Sequence, residues 1–75
     1  MKLQKIIHTD KDILGGIPVF TGTRVPIDSL FDHIEAGYSL DEFLEQFPTV
    51  SKEQATGLLD LANRLLLSGN YDKVA

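Results

Sequence analysis

The sequence predicts a mainly α fold: a three-helix, helix-turn-helix-like (homeodomain-like) bundle preceded by a short β-arm and β-ribbon. Three observations predict it. Apolar residues recur with helical spacing in three consecutive segments. Two of those segments open on a serine followed three residues later by Glu or Gln, the signature of a capping box. Upstream of them, glycines, prolines and β-branched residues are concentrated between Gly15 and Ile27. At 75 residues the chain makes one domain, divided into arm and ribbon (1–26), bundle (27–68) and tail (69–75). A chain this short buries only about 60% of its unfolded surface, so a partner is expected.

The arm comes first. Residues 3–7 read as a short strand whose apolar part is Ile6 and Ile7. His8-Thr9-Asp10-Lys11-Asp12 is a polar turn, and Ile13-Leu14 tucks back before the glycines. The next stretch, Gly15-Gly16-Ile17-Pro18-Val19-Phe20-Thr21-Gly22-Thr23-Arg24-Val25-Pro26-Ile27, organises the chain. Residues 17–20 and 23–25 have strand composition, and Thr21-Gly22 supplies the turn between them. Pro18 cannot donate to a sheet ladder, so the ribbon is an edge piece. Pro26 suits the first position of a helix, where its missing N–H costs nothing.

Ile27, Leu30, Phe31 and Ile34 fall at i, i+3, i+4 and i+7 and form one face of the first helix. Asp28 in its first turn suits the helix dipole, and Gly37 ends it. Ser39 and Glu42 cap the second helix, whose face is Leu40, Phe43, Leu44 and Phe47; Pro48 stops it. Ser51 and Gln54 cap the third helix, which runs to Ser68 with Gly69 as its stop. Its core stripe is Ala55, Leu58, Leu59, Ala62, Leu65 and Leu66. Leu61 borders that stripe and Leu67 points away from it. This is more leucine than a core of this size needs, so Leu61 and Leu67, with Ile6 and Ile7 of the arm, are the candidate oligomer interface.

The run Gly-Gly-x-Pro-Val-x-x-Gly-Thr-Arg-x-Pro, with Ala36-Gly37-Tyr38-Ser39 after the first helix, resembles the small prokaryotic family known as domain of unknown function 433. The resemblance extends over about residues 6–66. At Ile17 and Thr21 this chain carries uncharged residues where the family often has a basic one. Members look like antitoxins of the VapB type, paired with a PIN-like ribonuclease toxin. The resemblance therefore implies an antitoxin that neutralises such a ribonuclease and represses its own operon. Arg24, with Thr23 and Thr21 beside it, is the implied toxin-binding group, reaching the toxin's acidic, metal-binding active site. The residues also allow another role for Arg24: a bidentate bond to Asp28 or Asp32, pinning the ribbon to the first helix.

Charge separates the remaining function classes. Residues 1–24 carry four cations (Lys2, Lys5, Lys11 and Arg24) against Asp10 and Asp12, a balance of +2. Residues 25–68 carry only Lys52 and Arg64 against Asp28, Asp32, Glu35, Asp41, Glu42, Glu45, Glu53 and Asp60, a balance of −6. Nucleic-acid binders usually show a basic footprint, and the helical body lacks one. A stand-alone DNA-binding regulator remains the alternative. Lys52 would meet a phosphate, Thr56 and Asn63 would reach base edges, and Lys2 and Lys5 would form a basic arm. Gly57, Glu53 and Asp60 share that solvent face. A bare dimerisation module is the third reading.

An acidic body fits a protein partner better, since a ribonuclease that attracts RNA tends to present a basic rim. No enzymatic role is expected. His8, Asp10 and Asp12 alternate along an extended arm and would suit a metal only there; His33 reads as a surface residue. No cofactor is implied. With no cysteine, no apolar run of membrane-spanning length and no apolar leader, the expected setting is the cytoplasm.

Overall fold

The computed structural model describes residues 1–68. In chain order these form α1 (Leu3–Ile6), β1 (Ile7–His8), a 3-10 turn (Leu14–Gly16), β2 (Val19–Phe20), α2 (Asp28–Glu35), α3 (Leu40–Gln46) and α4 (Lys52–Leu67). The fold is thus mainly helical, with four α-helices and one two-stranded antiparallel sheet among the described residues.

The arm departs from expectation. Residues 3–7 were expected to be a strand, but the chain coils into one helical turn, with the Ile7 amide bonding to the Leu3 carbonyl, and only Ile7 and His8 are extended. The reason lies far along the chain. Ile6 must reach the core, where it is 1% exposed, and a Cβ at Gly57 would lie 2.8 Å from its Cδ1. The bare glycine on α4 makes the slot that Ile6 fills.

The ribbon is also re-partnered. β2 pairs with β1, Ile7 opposite Phe20 and His8 opposite Val19, rather than mainly with residues 23–25. The return leg survives as a bridge between Val19 and Pro26 and a 2.9 Å bond from the Phe20 amide to the Val25 carbonyl. Pro26 therefore lies outside the helix it was expected to open, and α2 begins at Asp28. Residues 20–23 make the expected tight turn. The Thr23 amide bonds to the Phe20 carbonyl at 3.0 Å and Gly22 sits at φ +80°, the third position of a type II turn, which needs glycine.

The helices follow their sequence signals closely, except that Ile34, expected on the packed face of α2, is 40% exposed and lies outside the core. α2 ends in a Schellman motif: the Gly37 amide bonds to the Ile34 carbonyl at 3.0 Å and the Tyr38 amide to His33 at 2.9 Å, with Gly37 at φ +93°. Both capping boxes form. Ser39 and Glu42 exchange bonds of 2.9 and 3.1 Å, and Ser51 and Gln54 bonds of 3.1 and 3.0 Å. The Ser39 amide donating to its carboxylate, together with the Ser39 hydroxyl, holds the Glu42 pKa below the ordinary glutamate value.

The core is Ile6, Phe20, Leu30, Phe43, Val50, Ala55 and Leu58, with contributions from every α-helix and from β2. Leu59 and Leu61 pack against its edge. The expected stripe on α4 stops there. Leu65 and Leu66 lie on the same helical face but are 59% and 58% exposed, and Leu67 is 79% exposed. Periodicity placed them correctly around the helix. What it does not carry is the reach of the body, which α4 overruns by its last turn. Gly69, the expected helix stop, and the expected tail lie outside the described residues. No helix among the described residues is long and apolar enough to cross a membrane.

Candidate partner-binding site

The 20–23 turn presents Arg24, and its neighbours make it stiff. The Thr23 hydroxyl, 8% exposed as a residue, donates to the Phe20 carbonyl at 2.8 Å and accepts from the Val25 amide at 3.0 Å. The Thr21 hydroxyl donates to the Gln4 carbonyl at 2.8 Å, tying the turn to α1. Both threonines thus build the turn. Beneath it lies Gln54, a buried amide whose Nε2 donates to the Lys5 and Thr21 carbonyls, each at 2.9 Å. Its Oε1 meanwhile accepts the Ser51 amide. One side chain therefore caps α4 and fastens both the arm and the turn to it.

Arg24 itself is exposed and makes no hydrogen bond or ion pair among the described residues. The bond to Asp28 or Asp32 that would pin the ribbon internally is not made. The ion pair that does form among those residues is Arg64 with Asp60, at 2.9 Å on α4. Arg24 lies on the wall of an open groove of about 670 Å³, together with His8, Ile13, Gly22 and Thr49. Among the described residues, no carboxylate lines this groove.

The other candidate residues are dispersed. Lys52, Thr56 and Asn63 are exposed on α4, and the Thr56 hydroxyl donates back to the Lys52 carbonyl at 2.9 Å. Lys2 and Lys5 are exposed on the arm. Gly57, expected on the open face, is half-covered because Ile6 packs against it, and Met1 lies by Glu53, Thr56 and Asp60. Among the expected interface residues, Ile6 is in the chain's own core, Ile7 and Leu61 pack at its edge, and Leu67 is exposed. Leu65 and Leu66 join Leu67 at the surface.

The arm offers no metal site. Asp10 Oδ1 accepts the Asp12 amide at 2.9 Å, curling the segment into a turn, so the extended face that would align His8, Asp10 and Asp12 does not exist. No group of three potential ligands comes together among the described residues. His33 is likewise not a surface residue. It is half-buried, with its ring edge-on to Phe43 and Phe47 and its nitrogens against Ser29 and Gln46.

Among proteins, the uncharacterized protein y4eO of Sinorhizobium fredii (strain NBRC 101917 / NGR234) is similar, 39% identical over 51 residues. That match covers 68% of this chain and 23% of the relative, so the chain spans about a quarter of the relative's length. No solved structure matches the chain. The family model described as "Protein of unknown function (DUF433)" matches residues 7–62, from β1 to the last turn of α4 that touches the core. The chain belongs to the DUF433 family.

Proposed function

We propose that this chain is the antitoxin of a type II toxin–antitoxin pair, binding and silencing a PIN-like ribonuclease and repressing its own operon only together with that partner. The observation that carries the proposal is Arg24: an exposed guanidinium with no partner among the described residues, beside a turn whose other polar side chains are already committed. A guanidinium matches a carboxylate bidentately, and a ribonuclease that holds a catalytic metal gathers carboxylates around it. Because the turn is already fixed, presenting Arg24 costs little ordering entropy. The −6 body would steer toward a basic RNA-binding rim, and the exposed Leu65, Leu66 and Leu67 add apolar surface for the contact.

In this proposal α3, its short connection and α4 act as a helix-turn-helix-like pair that reads DNA only in the complex. A stand-alone DNA-binding regulator is the competing reading, and the Ile6–Gly57 contact weighs against it. α1 occupies part of the face of α4 that would enter a groove, and Glu53 and Asp60 flank the rest. Too few cations remain to neutralise the several phosphates that tight binding requires.

Co-expression with a PIN-like ribonuclease, where the neighbouring gene encodes one, tests the proposal; a neighbouring gene of another kind would overturn it. A complex of defined stoichiometry on gel filtration, with ribonuclease activity suppressed, is the expected result. Separate elution, or tight sequence-specific DNA binding by the chain alone at physiological salt, would overturn it.

A further inference from the structure

We infer that the groove beside Arg24 docks a peptide segment of a partner protein in which a carboxylate stands next to an apolar side chain. The inference deepens the proposed ribonuclease binding, on which it rests only for the partner's identity. Four separate segments build the groove: His8 from β1, Ile13 from the loop before the 3-10 turn, Gly22 of the 20–23 turn with Arg24 just after it, and Thr49 from the connection between α3 and α4. At about 670 Å³ it has room for a few side chains.

Its polar groups divide cleanly. The Thr21 and Thr23 hydroxyls are committed to backbone carbonyls. The side chains of His8, Arg24 and Thr49 make no hydrogen bond or ion pair among the described residues, so three donors on one groove are unspent. Among the described residues no acid lines the groove, although acids outnumber lysines and arginines by 11 to 7 in the chain. Local charge is thus opposite to that of the whole protein. Ile13, half-buried, leaves an apolar wall beside the donors.

This chemistry selects the ligand. One permanent charge in the groove matches one carboxylate, and the guanidinium can hold it through two parallel bonds. A nucleic acid needs several cations along its track, and here the −6 helical body would repel it. The apolar wall has nothing to gain from a phosphate but shelters an aliphatic side chain adjacent to the acid.

Titration of the isotopically labelled full chain with the synthetic peptide acetyl-Gly-Leu-Glu-Gly-amide, followed by NMR, tests the inference. The expected result is a saturable, millimolar response confined to the amides of His8, Ile13, Gly22, Arg24 and Thr49. Arg24→Gln should weaken it about tenfold, as expected for a lost charged pair, and Thr49→Val about threefold. The same peptide with Gln in place of Glu should leave the spectrum unchanged. Absence of a saturable response, equal binding of the Gln peptide, or unchanged affinity in both variants would overturn the inference. Tighter binding of inorganic phosphate than of the peptide would overturn it as well. No ribonuclease is present in these titrations. If the peptide fails while the ribonuclease is still inhibited, only the groove assignment falls; if the peptide binds while no ribonuclease complex forms, only the proposed function falls.

Discussion

The imidazole of His33 and the side-chain amide of Gln46 clasp α2 to α3, with ring Nε2 lying 2.8 Å from Gln46 Oε1. Nδ1 lies 2.8 Å from the Ser29 carbonyl, which can only accept, so that nitrogen carries a hydrogen; the neutral ring then presents Nε2 as an acceptor, which Gln46 serves by turning its amide NH2 toward it. Ring centroids of Phe43, Phe47 and Tyr38 lie 5.4, 5.3 and 5.4 Å from the His33 centroid. The clasp ties together two short helices, of eight and seven residues. His33→Ala should cost about 2 kcal/mol, the sum of a hydrogen bond and an aromatic contact. In a domain of this size that is a drop of roughly 8–16 °C in Tm. An unchanged thermal transition by circular dichroism would show that the clasp is incidental.

Gln54 gives a sharper chemical test. Gln54→Glu keeps the shape and the acceptor that caps α4, but a carboxylate cannot donate to the Lys5 and Thr21 carbonyls. Both carbonyls would face a negative charge, and the loss should be about 1–3 kcal/mol despite an intact capping box. Hydrogen exchange should quicken first in the arm and the 20–23 turn. If exchange there is unaltered, the fastening role assigned to Gln54 is wrong.

Gly57→Ala pits two effects against each other. Alanine favours the helix by about 1 kcal/mol, whereas its Cβ would meet Ile6 Cδ1 at 2.8 Å in a filled core. Overpacking of this kind costs about 1–3 kcal/mol, so the net change should be destabilising, with α1 loosened from α4. Gly57→Val should be worse. A more stable Gly57→Ala protein in urea denaturation would mean that Ile6 is free to move aside.

What the sequence made legible follows from how local each signal is. α2, α3 and α4 were readable because their stripes, capping boxes and the Gly37 stop all lie within one turn of the residues they govern. The turn at Thr21-Gly22 was readable for the same reason. The helical turn of α1 was not, because residues 3–6 carry no period and coil only to bring Ile6 to Gly57, some fifty positions along the chain. Gln54 was legible as a cap and not as a fastener, since its other partners are Lys5 and Thr21. His33 read as a surface residue because the rings that enclose it come partly from α3. Leu65 and Leu66 kept the helical period past the point where there was a body to pack on.

Those leucines support a prediction about assembly. Three exposed leucines on a helix end favour self-association in a chain this small. Light scattering at high micromolar concentration should show a homodimer or larger species. The double variant Leu65→Asp, Leu66→Asp should be monomeric with its Tm preserved, because neither side chain is in the core. A monomeric wild-type protein would contradict this.

Arg24 decides the proposed function. RNA cleavage by the PIN-like ribonuclease proposed as the partner should be measured with wild-type protein and with Arg24→Ala, after confirming that the two melt alike. Equal melting is expected, since Arg24 has no bond to lose among the described residues. The wild-type chain should abolish cleavage. Arg24→Ala should inhibit about thirty- to several thousand-fold less well, the usual effect of truncating one member of a buried charge pair. Unimpeded cleavage in the presence of the wild-type chain, or equal inhibition by Arg24→Ala, would contradict the proposal.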